Sequence, residues 1–116
     1  MSKVSRKLCR LDELQDGESR GFPAPPGDFV GLFVVRQGPR VVAYVNSCPH
    51  IGVPLDWAPD EFLDAQGTHI QCSTHGALFR IADGYCTKGP CAGETLTALP
   101  VELRATGAGV EVWVTA

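Results

Sequence analysis

Two stretches of the chain each set a cysteine and a histidine within four residues. They are "NSCPHIGVPLDW" (46–57), with Cys48-x-His50, and "IQCSTHGALF" (70–79), with Cys72-x-x-His75. Thiolate sulfur and imidazole nitrogen are the side-chain ligands of soft and borderline transition metals. One such pair alone is more often a buried small side chain beside a structural histidine. Two pairs flanked by Pro and Gly, in a chain with three histidines, point instead to one metal object that takes two sulfurs and two nitrogens. Zinc accepts that set, but zinc sites more often draw two Cys from one loop and two His from another. Here each loop mixes the types. That layout suits an object with two metals, where each loop sends its Cys to one metal and its His to the other. A [2Fe–2S] centre held by two Cys and two His is such an object.

These ligands need a rigid frame, and the rest of the sequence reads as strands. The 116 residues suit one small domain, 1–116, with a single core. Apolar residues make up 44% and charged residues 20%, a globular balance, and the net charge of −3 argues against nucleic acid or an anionic membrane as partner. "MSKVSRKLCRLDEL" has basic residues but no apolar run behind them, so neither a secretory signal nor a membrane anchor is expected. The expected location is cytoplasmic, where thiols persist; five cysteines cannot complete a disulfide framework.

"RKLCRL" (Arg6 to Leu11) predicts a first strand, and Asp16-Gly17 a turn. Phe29 to Arg36 and Arg40 to Asn46 predict a hairpin around Gln37-Gly38-Pro39. Residues 46–59 predict a loop. Phe62-Leu63 and His69-Ile70-Gln71 are expected to pair, with a short helical turn after Pro59 as the competing arrangement. "GALFRIADGYCTKG" predicts a hairpin turning at Asp83-Gly84. The last hairpin turns around Gly107-Ala108-Gly109. Eight to ten short strands and no long helix predict an all-β fold, a small antiparallel sandwich or barrel. Both Cys/His pairs fall in loops next to strands, which is how a rigid scaffold presents ligands.

"CPHIGVPL" with "CSTHGALF" resembles the signature of the Rieske [2Fe–2S] ferredoxin family, and "DGYCTKGPCAGETLTALPV" resembles the segment that follows it. The resemblance runs from the opening strands through Val101. It implies a β-sandwich base with a cluster-binding subdomain of loops, about 46–92. It also implies that Cys48 and Cys72 ligate one iron, that His50 and His75 ligate the other, and that Gly89-Pro90 forms a third, covering loop. Twenty-one residues separate His50 from Cys72, more than in the ferredoxin-like branch, with the excess expected in "APDEFLDAQG".

The implied function is one-electron transfer, from a flavin-containing reductase to a terminal oxygenase, by a carrier expected to be a monomer and not an enzyme by itself. The alternative is a small iron–sulfur subunit or redox-sensing module of a larger oxidoreductase, similar to a nitrite reductase small subunit. A self-contained oxygenase needs a further mononuclear iron site, and one remaining histidine cannot supply it. With two thiolates the oxidised centre is neutral, so an electron enters more easily than in an all-cysteine cluster; potentials of this type span about −150 to +300 mV. High-potential relatives carry a Ser and a Tyr after the second loop, and an extra Cys in each ligand loop joined as a disulfide. Ala77 and Phe79 have no hydroxyl, Gly52 and Val53 flank the first loop, and Thr74 stands where the second extra Cys would be. The expected midpoint is therefore low, about −150 mV. The ring nitrogen of each ligating histidine that faces away from iron should carry its proton at neutral pH, giving a midpoint that falls only in alkali.

Other residues have simpler expectations. His69 reads as a surface strand residue rather than a spare ligand. Cys9, Cys86 and Cys91 read as buried small side chains, with a redox disulfide of Cys86 and Cys91 as the competing view. Trp57 shields the site or merely packs, and Trp113, alternating with the valines, is a surface or second-face aromatic. Asp56, Asp60, Glu61 and Asp64 form either a solvated loop or an acidic docking edge.

Overall fold

The computed structural model describes residues 5–23, 31–49, 54–56, 58, 60–72 and 76–115. His50, Gly52, Val53, Trp57, Thr74 and His75 lie outside the described residues, as do Phe29 and Val30, where the second predicted strand was to begin.

Ten strands and one turn of 3₁₀ helix follow each other along the chain. They are β1 (Ser5–Arg10), the 3₁₀ turn (Leu11–Glu13), β2 (Ser19–Phe22), β3 (Leu32–Gln37), β4 (Arg40–Val45), β5 (His69–Gln71), β6 (Leu78–Arg80), β7 (Cys86–Lys88), β8 (Ala98–Leu99), β9 (Val101–Thr106) and β10 (Gly109–Thr115). All pairings between these strands are antiparallel, in three sheets ordered β1-β10-β9, β2-β3-β4-β8 and β5-β6-β7. The all-β expectation holds. Among the described residues no helix is long and apolar enough to cross a membrane.

The predicted hairpins are present; the one expected to turn at Asp83-Gly84 has a wider connection, with residues 81–85 between β6 and β7, and the other two have tighter turns than expected. Gln37 already pairs with Arg40, and Thr106 with Gly109, so each turn is two residues. Gly38 makes the first turn possible at φ +59°, a left-handed angle that a side chain disfavours. Two strands escaped the sequence reading. β2 carries only Ser-Arg-Gly-Phe, and β8 is two residues long, so neither has enough alternation to register.

β3 organises the molecule. Leu32, Phe33, Val34 and Val35 are all buried, so both of its faces are covered. Alternate side chains of a strand point to opposite faces, and the two faces enter different cores. Leu32 and Val34 join Cys9, Leu14, Ala43, Val112 and Val114 under the β1-β10-β9 sheet. Phe33 and Val35 join a second core with Tyr44, Leu55, Phe62, Phe79 and four cysteines. Arg36 ties the 3₁₀ segment to β3, donating from Nη1 to the carbonyls of Leu14 (2.6 Å) and Leu11 (3.1 Å).

The long connection before Cys72 is built into the second core. Phe62 is buried and stacks on Phe33, ring centroids 4.3 Å apart. Leu63 bridges to Ile70, and the Gln71 amide donates to the Phe62 carbonyl (2.9 Å). The expected pairing therefore forms, and Phe62 anchors the stretch to the core while Asp60, Glu61 and residues 65–68 stay exposed. Asp60 accepts from the Gly21 amide (2.8 Å), and Asp56 from Asn46 Nδ2 (3.2 Å). Partial burial raises the Asp64 pKa, but amide bonds from His69 and Thr68 and the Thr68 hydroxyl outweigh it, and the carboxyl sits below its ordinary range. Glu61 is left exposed. A polar hollow of about 350 Å³ opens beside this connection, lined among others by Asp16, Glu18, Asp60 and Glu61.

Candidate metal centre

Cys48 and Cys72, the two predicted sulfur ligands, lie 24 positions apart in the chain and belong to one buried cluster. Their relative exposures are 1% and 0%. Cys48 follows the end of β4, and Cys72 follows β5 directly. The two predicted nitrogen ligands lie outside the described residues, and among the described residues no three potential metal ligands converge.

Each loop is closed at its base by hydrogen bonds. In the first, Asn46 Oδ1 accepts from the Leu55 backbone amide (2.8 Å), while the Asn46 backbone N–H donates to the Gly31 carbonyl (2.9 Å). Leu55 is fully buried, so one polar side chain pins both ends of the 46–55 excursion. Asn46 was not singled out in the sequence. A polar residue at a strand end just before the first Cys was the available signal. In the second loop the Cys72 amide donates to Ala77 (2.9 Å) and the Gly76 amide to Cys72 (3.0 Å).

The third loop packs against the second. Gly89 has φ +101°, and a Cβ placed on it would lie 2.8 Å from Ala77 Cα. No other residue type fits there. The Ala92 amide bonds to Gly89 (3.1 Å) and the Glu94 amide to Cys91 (2.8 Å), rounding the turn. Cys91 is buried at 2% exposure, with its sulfur 3.8 Å from that of Cys48. Burial, with the Cys48 and Cys86 sulfurs beside it, pushes the Cys91 thiol above the ordinary range. Cys86 is buried as well, and its sulfur donates to the Lys88 carbonyl (3.3 Å). Cys9 belongs to the other core. Cys9, Cys86 and Cys91 are thus buried small side chains, as expected.

Ala77 and Phe79 are fully buried. His69 is a partly exposed strand residue, its Nδ1 3.0 Å from the Thr68 hydroxyl. Trp113 lies on the face opposite the core valines, under the Arg104 guanidinium at 4.0 Å.

The donor chemistry fits an iron–sulfur centre. Two bare thiolates in a dry core would be costly. Bound to two ferric ions bridged by two sulfides, a core of charge +2, the same two thiolates bring the sum to zero.

The match to known proteins agrees. The model of the Rieske [2Fe-2S] domain family matches residues 5–106, and the chain belongs to that family, whose domain binds a [2Fe–2S] cluster. A chain in the complex of reduced oxygenase and oxidized ferredoxin in carbazole 1,9a-dioxygenase is 28% identical, with a TM-score of 0.73 over 96% of this chain and 92% of that one. The ferredoxin of carbazole 1,9a-dioxygenase from Nocardioides aromaticivorans is 27% identical, with a TM-score of 0.69 over 96% of both chains. A protein described as an NADH-dependent nitrite reductase small subunit from Mycobacterium tuberculosis shares the fold at 21% identity and a TM-score of 0.68, over 100% of this chain and 97% of that one. Comparison with curated proteins gave no significant match.

Proposed function

We propose that this protein is a one-electron carrier that passes electrons from a reductase, flavin-containing in the simplest scheme, to a terminal oxygenase. The observation that carries the proposal is the convergence of Cys48 and Cys72, from two separate loops, in one buried cluster. Membership of the Rieske family, and likeness to a ferredoxin over nearly the whole of both chains, support it. In this reading Cys48 and Cys72 hold one iron and His50 and His75 the other, within a loop subdomain of about 46–92. When bound, the [2Fe–2S] group supplies reversible uptake of a single electron.

The chain's own residues do the rest. Cys48 and Cys72 grip from the buried side, which leaves the histidine end as the transfer face. Ala77, Phe79 and Leu55 keep water from the sulfur side. Asn46 and the Cys72–Ala77 bonds hold the loops in place, so little structure need rearrange when charge changes. A reducing cytoplasm is part of this reading, since it suits cysteines that are not joined as disulfides.

Electron paramagnetic resonance of the dithionite-reduced protein tests the ligand set. A signal with the low average g of mixed nitrogen–sulfur ligation is expected. An all-sulfur signal, or silence from protein that contains zinc and no sulfide, ends the proposal. Carriage is tested by mixing the reduced protein with a Rieske oxygenase and following reoxidation under single-turnover conditions.

A further inference from the structure

We propose that Cys91 donates a hydrogen bond to the Cys48 sulfur and thereby raises the midpoint potential of the centre. The inference rests on Cys48 being an iron ligand, as proposed above. The Cys91–Cys48 sulfur separation is 3.8 Å, and both side chains are buried, at 2% and 1% exposure. The approach is enforced by the third loop. Gly89 lies hard against Ala77, and the Ala92–Gly89, Glu94–Cys91, Gly93–Cys86 and Cys86–Glu94 backbone bonds hold Cys91 beneath it.

Geometry alone lets either sulfur donate. Ligation decides the direction, because an iron-bound Cys48 has lost its proton and its sulfur can only accept. The neighbouring Cys86 directs its own hydrogen to the Lys88 carbonyl at 3.3 Å. Cys91 has the Cys86 sulfur beside it as well, but an iron-bound thiolate is a stronger acceptor than a neutral thiol, so the Cys91 hydrogen goes to Cys48.

Hydrogen bonds to ligand sulfur are one of the factors that set iron–sulfur potentials. Reduction adds one negative charge, part of which resides on the ligand sulfurs, so a donor aimed at Cys48 binds more strongly in the reduced state. Ala77 and Phe79 have no hydroxyl to offer. Cys91 supplies from a different loop the kind of donor that those positions lack.

The test compares midpoints of the loaded wild type with Cys91→Ala, Cys91→Ser and Cys86→Ala. Cys91→Ala should lower the one-electron equilibrium constant for reduction several-fold, up to about tenfold, which is about 59 mV. Cys91→Ser, which keeps an O–H donor, should hold the wild-type midpoint or exceed it. Cys86→Ala, which opens a similar gap without removing the donor, should leave it unchanged. An intact centre with an unchanged midpoint in Cys91→Ala overturns the inference, as does an equal drop in Cys86→Ala. Should Cys91→Ala fail to assemble, redox-difference infrared spectra of the wild type decide. An S–H stretching band that moves on reduction and survives Cys86→Ala is expected, and its absence overturns the inference. Failure of the underlying ligand reading is seen separately and earlier, as wild-type protein without iron and inorganic sulfide.

Discussion

The two faces of β3 look onto cores built by different means. Beneath it, strands of six and seven residues, β1, β9 and β10, run in long ladders over an aliphatic interior with a single cysteine. Above it, β5, β6 and β7 have three residues each, and the interior holds four cysteines among aromatic rings. Regular ladders satisfy backbone groups by repetition. Three-residue strands cannot, so the upper half relies on Asn46, on Asp64, and on Tyr44, whose hydroxyl donates to the Ile81 carbonyl at 2.6 Å. The lower core is a foundation that folds by burying hydrocarbon. The upper one is a socket whose shape is set by loop closures, and the metal group adds its binding energy to that half.

That contrast can be broken most sharply at the sulfurs. Cys48→Ala or Cys72→Ala should abolish the visible absorption and the reduced paramagnetic signal. Hydrogen exchange in β9 and β10 should change little, and loss of protection there would mean that the halves do not separate. In the lower core, Leu14→Ala should cost about 2–5 kcal/mol by denaturant titration without moving the midpoint potential. Glycines sharpen the comparison next. Gly89→Ala meets Ala77 at 2.8 Å and a left-handed backbone, and should cost about 1–3 kcal/mol. Gly107→Ala in the lower hairpin meets nothing within 4 Å, and should stay within about 0.5 kcal/mol.

Tyr44 gives the pH test. Burial, with the Asp83 charge adding to it, pushes its hydroxyl up to about 12, above the ordinary value of about 10. The folded state therefore holds this proton more tightly. Its contribution is full below about pH 10 and is lost as pH rises toward about 12. Tyr44→Phe should cost roughly 1 kcal/mol at neutral pH and remove this alkaline loss, read as the pH dependence of the urea midpoint. Ala77→Ser reads the same donor effect from the other loop. A buried hydroxyl that reaches a ligand sulfur should raise the potential by up to about 59 mV for a tenfold change in equilibrium, and one that finds no partner should instead cost about 1–3 kcal/mol of stability.

The sequence by itself determined the chemistry and the class of fold. Two mixed Cys/His pairs have few uses, and the β-branched runs around Gly38 and Gly107, like the turn signal at Asp83-Gly84, favour hairpins over helix. It also placed Cys9 in a core and His69 on a strand, because local alternation carries burial. Tertiary structure alone decided what depends on contacts between distant segments. β2 and β8 become strands only because β3 and β4 offer them edges. Asp56, Asp60 and Asp64 look like a solvated acidic run, yet Asp56 and Asp60 meet donors from Asn46 and Gly21, which folding brings to them, while Asp64 is held by donors of its own turn. Cys91, read as an inert small residue, sits 3.8 Å from Cys48 across 43 positions of chain. Spacing along a sequence reports neighbours within a turn or a strand. The distance between two loops is set by the scaffold that carries them, and no local pattern encodes it.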